Sequence, residues 1–443
     1  MKNIKNLLYI SLFLLFACSN EEEKPINNSG SNLSFKIAVF SDPHYFDPDL
    51  GDPGEAYDLA AANSRKMIKY SEQILNSAIN LFLESQAEII IIPGDLTKDG
   101  EKTSHLKFAD MIRKLKNAGK HVFVVPGNHD VANPEAYGYS ATDKYKTESV
   151  SPQEIKQIYN DFGYSEALYQ DENSLSYIAE PIKGLWIVGM DACRYRDNTA
   201  ESHTVGGRFD QRTLIWLEDL LKKGKSEGKL MLGILHHGIL EHFAGQKVNP
   251  VTSEFVIDDY KQISEMFAKN DMKFVFTGHF HANDIVSEQF GNNFLYDIET
   301  GSLLTYPVPV RFINVTNSER MDVSTAYIDN VAIDTKGMTF QNYAKDFITN
   351  DLDNYVAELL TAQFQLDSTI ASDFASIGVQ AFLSHYRGDE IITSDAIDII
   401  NKYSNSQEIT VMLLSGVIQS LYTDLNPADN NISIDMKTGK ILK

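Results

Sequence analysis

The chain has 443 residues, 43% hydrophobic and 23% charged, which suits two folded domains and excludes wholesale disorder. Lys plus Arg number 39 against 61 Asp plus Glu, for a net charge of −22. Such a surface repels polyanions, so no nucleic-acid polymer is expected as a partner. A small phosphorylated substrate stays open, because bound cations reverse a local field. Two cysteines, Cys18 and Cys193, exclude a disulfide framework or a thiolate zinc module.

Lys2 and Lys5 precede an apolar run at 7–17 that is too short to span a bilayer and carries the flanks of a secretory signal. Leu15-Phe16-Ala17-Cys18 resembles the lipobox of bacterial lipoproteins. That resemblance implies cleavage after residue 17, acylation of Cys18, and an exported protein held to the membrane by its N-terminal lipid. The location would be a bacterial outer membrane or cell surface; the alternative is a plain signal peptide with an incidental cysteine. Residues 18–33, rich in Glu, Asn and Ser, read as a flexible tether, and the acids at 21–23 resemble an export signal of bacterial surface lipoproteins. Cys193 reads as a buried or idle thiol.

Over 34–335, apolar runs alternate with amphipathic stretches. Strands are predicted at 35–40, 88–92, 121–125, 185–190, 230–235 and 273–276, rich in Ile, Val and Phe as in strands buried on both faces. Helices are predicted at 64–84, 105–116, 152–161 and 210–223, and β-like segments at 293–298 and 310–328 add a mixed or antiparallel part. This is an α/β domain of layered design. From 336 to 443 the spacing turns helical, at 343–364, 369–384 and 406–422, with no comparable strands, so a C-terminal helical domain is expected.

Chemistry-bearing residues gather where the predicted strands end. Asp42-Pro43-His44, Gly94-Asp95, Gly127-Asn128-His129-Asp130, His236-His237 and Gly278-His279-Phe280-His281 each follow a strand. In open α/β sheets that rim is where ligands collect. Residues two apart, such as Asp42 and His44 or His279 and His281, can face one side of an extended segment and reach one ion. A carboxylate such as Asp95 has two oxygens and can bridge two cations, while Asn128 offers a neutral oxygen. Imidazole and oxygen donors without thiolate suit manganese, iron, zinc or cobalt better than calcium.

The ordered set D-x-H, G-D, G-N-H-D, H and G-H-x-H resembles the signature of the calcineurin-like metallophosphoesterases. Within them, the chain is similar to bacterial cyclic nucleotide phosphodiesterase-like enzymes with a C-terminal helical domain. The resemblance implies a four-layer α/β/β/α sandwich. It also implies two divalent metal ions (manganese, iron or zinc), one on Asp42, His44, Asp95 and His281 and the other on Asp95, Asn128, His236 and His279. His129 would sit by the leaving-group oxygen, with Asp130 orienting its imidazole. Lys98 stands three residues after Asp95, where purple acid phosphatases place a tyrosine, which disfavours a ferric-tyrosinate centre. The implied reaction is hydrolysis of a phosphodiester, such as a cyclic nucleotide, or of a phosphomonoester, by attack of a metal-bridging hydroxide. The alternatives are action on lipid or sugar phosphates, or a non-catalytic surface lipoprotein.

Other residues near the blocks remain open or read as structural. His237 is the alternative to His236 as a ligand. Asp99 lies in a turn and, like Asp191, reads as structural. His105 and His242 read as supporting or loop histidines, the alternative being contact with substrate. In the loop 131–150, Tyr137, Tyr139 and Tyr145 either stack on a substrate base or anchor the loop. His385, Tyr386 and Arg387 read as a helix end, and the helical part either caps the site or only packs on the domain.

Overall fold

Ile89–Ile92 is four isoleucines in a row, all fully buried, a pattern that suits only a strand covered on both faces. Such strands organise the computed structural model, which describes residues 32–249 and 251–442. Cys18, the signal reading of 1–17 and most of the tether reading of 18–33 lie outside the described residues.

In chain order the first half runs β1 (Phe35–Val39), α1 (Glu55–Asn63), α2 (Ser71–Glu84), β2 (Ile89–Ile92), α3 (Lys102–Asn117) and β3 (His121–Val124). A small hairpin, β4 (Tyr137–Tyr139) and β5 (Lys144–Lys146), is followed by α4 (Pro152–Ile158), β6 (Ala167–Gln170), β7 (Tyr177–Ile182) and β8 (Leu185–Gly189). Then come α5 (Gln211–Ser226), β9 (Leu230–Ile234), α6 (Tyr260–Lys269), β10 (Met272–Thr277), β11 (Ile285–Phe290) and β12 (Asn293–Glu299). The rest is β13 (Pro309–Thr316), β14 (Arg320–Tyr327), α7 (Phe340–Glu358), α8 (Ser368–Arg387), α9 (Ser394–Tyr403), α10 (Ile409–Leu421) and β15 (Asn431–Asp435).

Two mixed sheets result, ordered β15-β14-β13-β1-β2-β3 and β11-β12-β10-β9-β8-β7-β6. The central strands are parallel: β1 with β2 and β3, and β8 with β9, β10 and β12, while the flanking strands pair antiparallel. Side-chain alternation shows how the layers stack. Ile187, Leu232, Ile234, Phe274 and Phe276 of the second sheet share a core with Ile37, Val39, Ile90 and the α2 and α3 residues Ile79 and Phe108. Their neighbours Trp186, Val188, Met231 and Val275 point the other way, onto Leu217 and Leu221 of α5 and Phe267 of α6. The order is therefore helix, sheet, sheet, helix, as expected for a metallophosphoesterase fold.

The structure adds elements that the pattern hid. Helix α6 and the strands β6, β7 and β11 are short or half exposed, so their apolar signal is diluted. The helical reading of 336–443 needs correction at its end. After four helices the chain returns as β15, whose residues 431–435 pair antiparallel with β14, so the first sheet closes with the last part of the sequence. With only Ile432 and Ile434 facing inward, that strand carries little signal of its own. Helices α7–α10 form a third core, and Phe243, Phe280 and Ala282 from the sheet loops insert into it. Among the described residues no helix is long and apolar enough to cross a membrane.

Candidate metal centre

The loops after β1, β2, β3, β9 and β10 meet at one rim, and each makes an abrupt turn there. Asp42, His44, Asp95, His279 and His281 all adopt left-handed backbone conformations, with φ of 50°, 36°, 46°, 74° and 65°. Non-glycine residues hold that conformation only where the surroundings impose it, and such strain clusters at functional sites. Two glycines make the approach possible. A Cβ at Gly127 would lie 2.0 Å from Asp95 Oδ1, and one at Gly278 would lie 2.3 Å from Asp42 Oδ2.

The converging side chains form two groups that share Asp95. On one side, His44 Nε2 lies 3.2 Å from His281 Nε2 and 3.5 Å from Asp95 Oδ2, and His281 Nε2 lies 3.4 Å from Asp42 Oδ1. On the other, His236 Nε2 lies 3.3 Å from Asp95 Oδ1 and 3.0 Å from Asn128 Oδ1, and His279 completes a triad with Asp95 and His236. All seven side chains that the sequence singled out as ligands are thus brought together, and Asp95 turns one oxygen to each group.

This donor set fits a pair of cations. Donors on one ion with bonds near 2.1 Å stand about 3.0–3.4 Å apart, the spacing seen here. His236 Nδ1 donates to the Pro93 carbonyl at 2.8 Å, which turns Nε2 into the site beside the Asp95 and Asn128 oxygens. His279 Nε2 is buried with no hydrogen-bond partner among the described residues. Burial also holds the His44 and His279 rings in the neutral form that ligation needs, while for His236 burial is outweighed by Asp95, which lifts it to about 9. Two carboxylates, Asp42 and Asp95, buried among these imidazoles call for positive charge beside them.

His237 is not in either group. Its Nε2 donates to the Val205 carbonyl at 2.8 Å, and burial lowers its pKa to about 3, so it packs neutral behind His279 at a ring distance of 4.3 Å.

The expected pairing of Asp130 with His129 is wrong. The Asp130 carboxylate accepts from the backbone N–H of Leu96, Thr97 and Gly127 at 3.0, 2.9 and 2.8 Å, and from the Thr97 hydroxyl at 2.9 Å. It therefore ties the loop of Asp95 to the loop of Asn128. His129 Nδ1 instead donates to Asp99 at 2.8 Å, and Asp99 also pairs with Lys98. Burial alone would raise the Asp99 pKa, but Lys98 and the His129 hydrogen bond hold it below the usual carboxylate range. Asp99 is thus the orienting carboxylate that the turn reading missed. Its spacing, four residues after Asp95 in a Gly-bounded turn, carried no hint of a long-range partner.

His129 stands at the edge, its Nε2 3.9 Å from Asp95 Oδ2, with the His203 ring 4.6 Å away and His203 hydrogen-bonded to Glu135. His105 is fully buried, bonded to Tyr159 and to the Asp130 carbonyl, a supporting role as expected. Asp191 accepts from the Leu175 and Cys193 backbone and is structural. Tyr139 stacks on Tyr57 and anchors its loop, and both Tyr139 and Tyr137 line the cleft.

Above both groups opens a cleft of about 1010 Å³. Arg65, Lys66 and Lys144 border it with Tyr137, Phe255 and, from the helical part, Phe382 and Tyr386. The helices therefore do more than pack on the domain: they supply one wall of the cleft.

Residues 35–283 match the model of the calcineurin-like phosphoesterase family. Over 75 residues the chain is 36% identical to a probable cyclic nucleotide phosphodiesterase of Coxiella burnetii (strain RSA 493 / Nine Mile phase I), a match covering 15% of this chain and 29% of that protein. The chain thus spans less than a third of that curated relative's length. Among solved structures, a dimetal phosphatase from Danio rerio is 15% identical with a TM-score of 0.46, covering 66% of this chain and 96% of that one. The NAD nucleotidase of Haemophilus influenzae is 12% identical with a TM-score of 0.36, covering 73% and 56%.

Proposed function

We propose, from the premise that the chain belongs to the calcineurin-like phosphoesterase family, that it hydrolyses phosphodiester bonds of a small nucleotide, cyclic or linear. The observation that carries the reading is Asp95, whose Oδ2 serves the His44 group and whose Oδ1 serves the His236 group. Asp42, His44, Asp95 and His281 would hold one divalent ion, and Asp95, Asn128, His236 and His279 the other. When bound, the pair lowers the pKa of the attacking water and offsets charge on the phosphoryl oxygens.

The chain's own residues supply the rest. His129 lines the cleft at the edge of the centre with Nδ1 fixed by Asp99, so its Nε2 can donate a proton to the departing alkoxide. Lys66, at the cleft border, places a positive charge where a phosphoryl group enters. Phe255, 5.0 Å from the His279 ring, offers a flat surface for a base, while Tyr137 carries the ammonium groups of Lys144 and Lys146 over its ring at 4.4 and 4.3 Å and adds to the cationic border. A wall of aromatic rings beside a cationic border favours a nucleotide over a lipid or sugar phosphate. We place the enzyme, in the same proposal, outside the cytoplasm on a lipid at Cys18.

The test is a panel on the metal-loaded enzyme comparing cyclic nucleotides, linear dinucleotide diesters, nucleoside monophosphates and glycerophosphodiesters. Higher kcat/KM on a nucleotide diester than on the other classes is expected. Preference for monoesters over every diester would overturn the substrate class and leave the metal centre standing. Metabolic labelling with a radiolabelled fatty acid, lost in Cys18→Ser, tests the anchor.

A further inference from the structure

One imidazole in the cleft has no part in the metal centre or in the leaving-group step. His203 comes from the segment between β8 and α5 and lines the cleft with His129, Asp95 and Asn128. Its side chain is 13% exposed, and its ring lies 4.6 Å from that of His129 at an angle of 45°. Nδ1 donates to the Glu135 carboxylate, which leaves Nε2 as the nitrogen that a ligand in the cleft can reach.

The segment is held on both sides of the ring. Thr204 N–H donates to Asn198 Oδ1 at 2.8 Å, and the Asn198 amide donates to the Ala132 carbonyl at 3.1 Å, in the loop that follows His129. The Val205 carbonyl accepts from His237 Nε2 at 2.8 Å, and a Cβ at Gly207 would lie 2.7 Å from His237 Cγ. His237, next to the ligand His236, thus positions this segment against the centre. A donor fixed before its ligand arrives meets developing charge without reorganising. Burial pulls the His203 pKa down, but the Glu135 hydrogen bond and the carboxylates of Glu135, Asp99 and Asp95 outweigh it and hold it above the ordinary imidazole value.

His129 and His203 therefore form a pair, each with Nδ1 on a carboxylate and each lining the cleft. A leaving oxygen takes one proton, which His129 supplies in the proposed reaction, so the second imidazole serves a different oxygen of the same group. We propose that His203 contacts the substrate directly, donating from Nε2 to a phosphoryl oxygen that stays on phosphorus when the bond to the leaving group breaks. The inference rests on the phosphodiesterase reading above and adds to it a residue that binds the phosphoryl group itself.

The test compares metal-loaded wild type, His203→Ala and His203→Gln on a nitrophenyl and an alkyl phosphodiester, with inorganic phosphate as competitive inhibitor. Metal content and melting temperature are measured alongside. His203→Ala is expected to lower kcat/KM by roughly 10- to 100-fold on both esters and to raise the inhibition constant of phosphate by about tenfold or more, at wild-type metal content. Gln keeps a neutral donor near the Nε2 position, so it should recover part of each loss, and it gives the same two-ester readout should the alanine variant fail to fold. A loss confined to the alkyl ester would put His203 on the leaving group and overturn the proposal, as would unchanged phosphate inhibition in both variants. If the wild type turns over and both variants match it, this inference alone falls; a wild type that hydrolyses neither ester overturns the proposed function with it.

Discussion

Replacing Asp99 by Asn removes one charge and leaves the shape of the turn almost intact. In the wild type, His129 Nδ1 donates to the half-buried Asp99 carboxylate at 2.8 Å. A hydrogen bond between charged partners contributes about 2–3 kcal/mol, and Asn would keep only the weaker neutral bond. If His129 protonates the leaving oxygen, losing the difference of about 1–2 kcal/mol lowers kcat on an alkyl ester by roughly 5- to 30-fold, at 1.4 kcal/mol per tenfold. A nitrophenolate leaves without help, so kcat on a nitrophenyl ester should fall by less than about threefold. The assay is kcat on both ester types for wild type and Asp99→Asn, with metal content measured in parallel. Equal losses on the two esters, at full metal content, would refute the reasoning. Asp130→Asn is the contrasting control: it loosens three backbone anchors and should lower the melting temperature along with activity on both esters.

Gly127→Ala drives a methyl into Asp95 Oδ1, where the Cβ would lie 2.0 Å away, so metal content should drop and kcat/KM fall by about 100-fold, as expected of an ångström-scale displacement; an active, fully metallated variant would contradict the close approach. Lys66→Met should raise KM about tenfold with a smaller change in kcat, since a charge-assisted contact to a phosphoryl oxygen contributes about 1.5 kcal/mol; an unchanged KM would remove Lys66 from substrate binding. Burial lowers the His105 pKa to about 4, against an unfolded value of 6.5. The unfolded chain then binds more protons between those values, so stability is full above pH 6.5 and declines by roughly 3 kcal/mol as the pH falls to 4. Urea unfolding of wild type and His105→Gln at pH 7 and pH 5 checks this, with a smaller acid loss expected in the variant.

How much was legible depended on whether the signal was local. The parallel strands announce themselves, because Ile89–Ile92 and its neighbours are buried on both faces and leave uninterrupted apolar runs. The ligands were legible for a related reason: strand ends converge by topology, so a residue such as His279 at the end of β10 has a foreseeable destination. What failed needed partners distant in sequence. Asp130 neighbours His129 in the chain yet turns back to the amides of Leu96 and Thr97, while Asp99, 30 residues away, reaches the imidazole. His385 does stand in the last turn of α8, as read, but its partner Asp284 comes from a loop over 100 residues earlier, which a helix-end pattern cannot show. β15 pairs only after four helices have passed, and a five-residue edge strand cannot declare such a partner alone.

The account rests on two ions sharing Asp95, and the electron paramagnetic resonance spectrum of the manganese-loaded protein reads that sharing directly. Two Mn²⁺ ions about 3.5–4 Å apart through one carboxylate should give an exchange-coupled signal that Asp95→Asn abolishes. A spectrum of isolated Mn²⁺ only, in a wild type carrying its full complement of metal, would contradict the account.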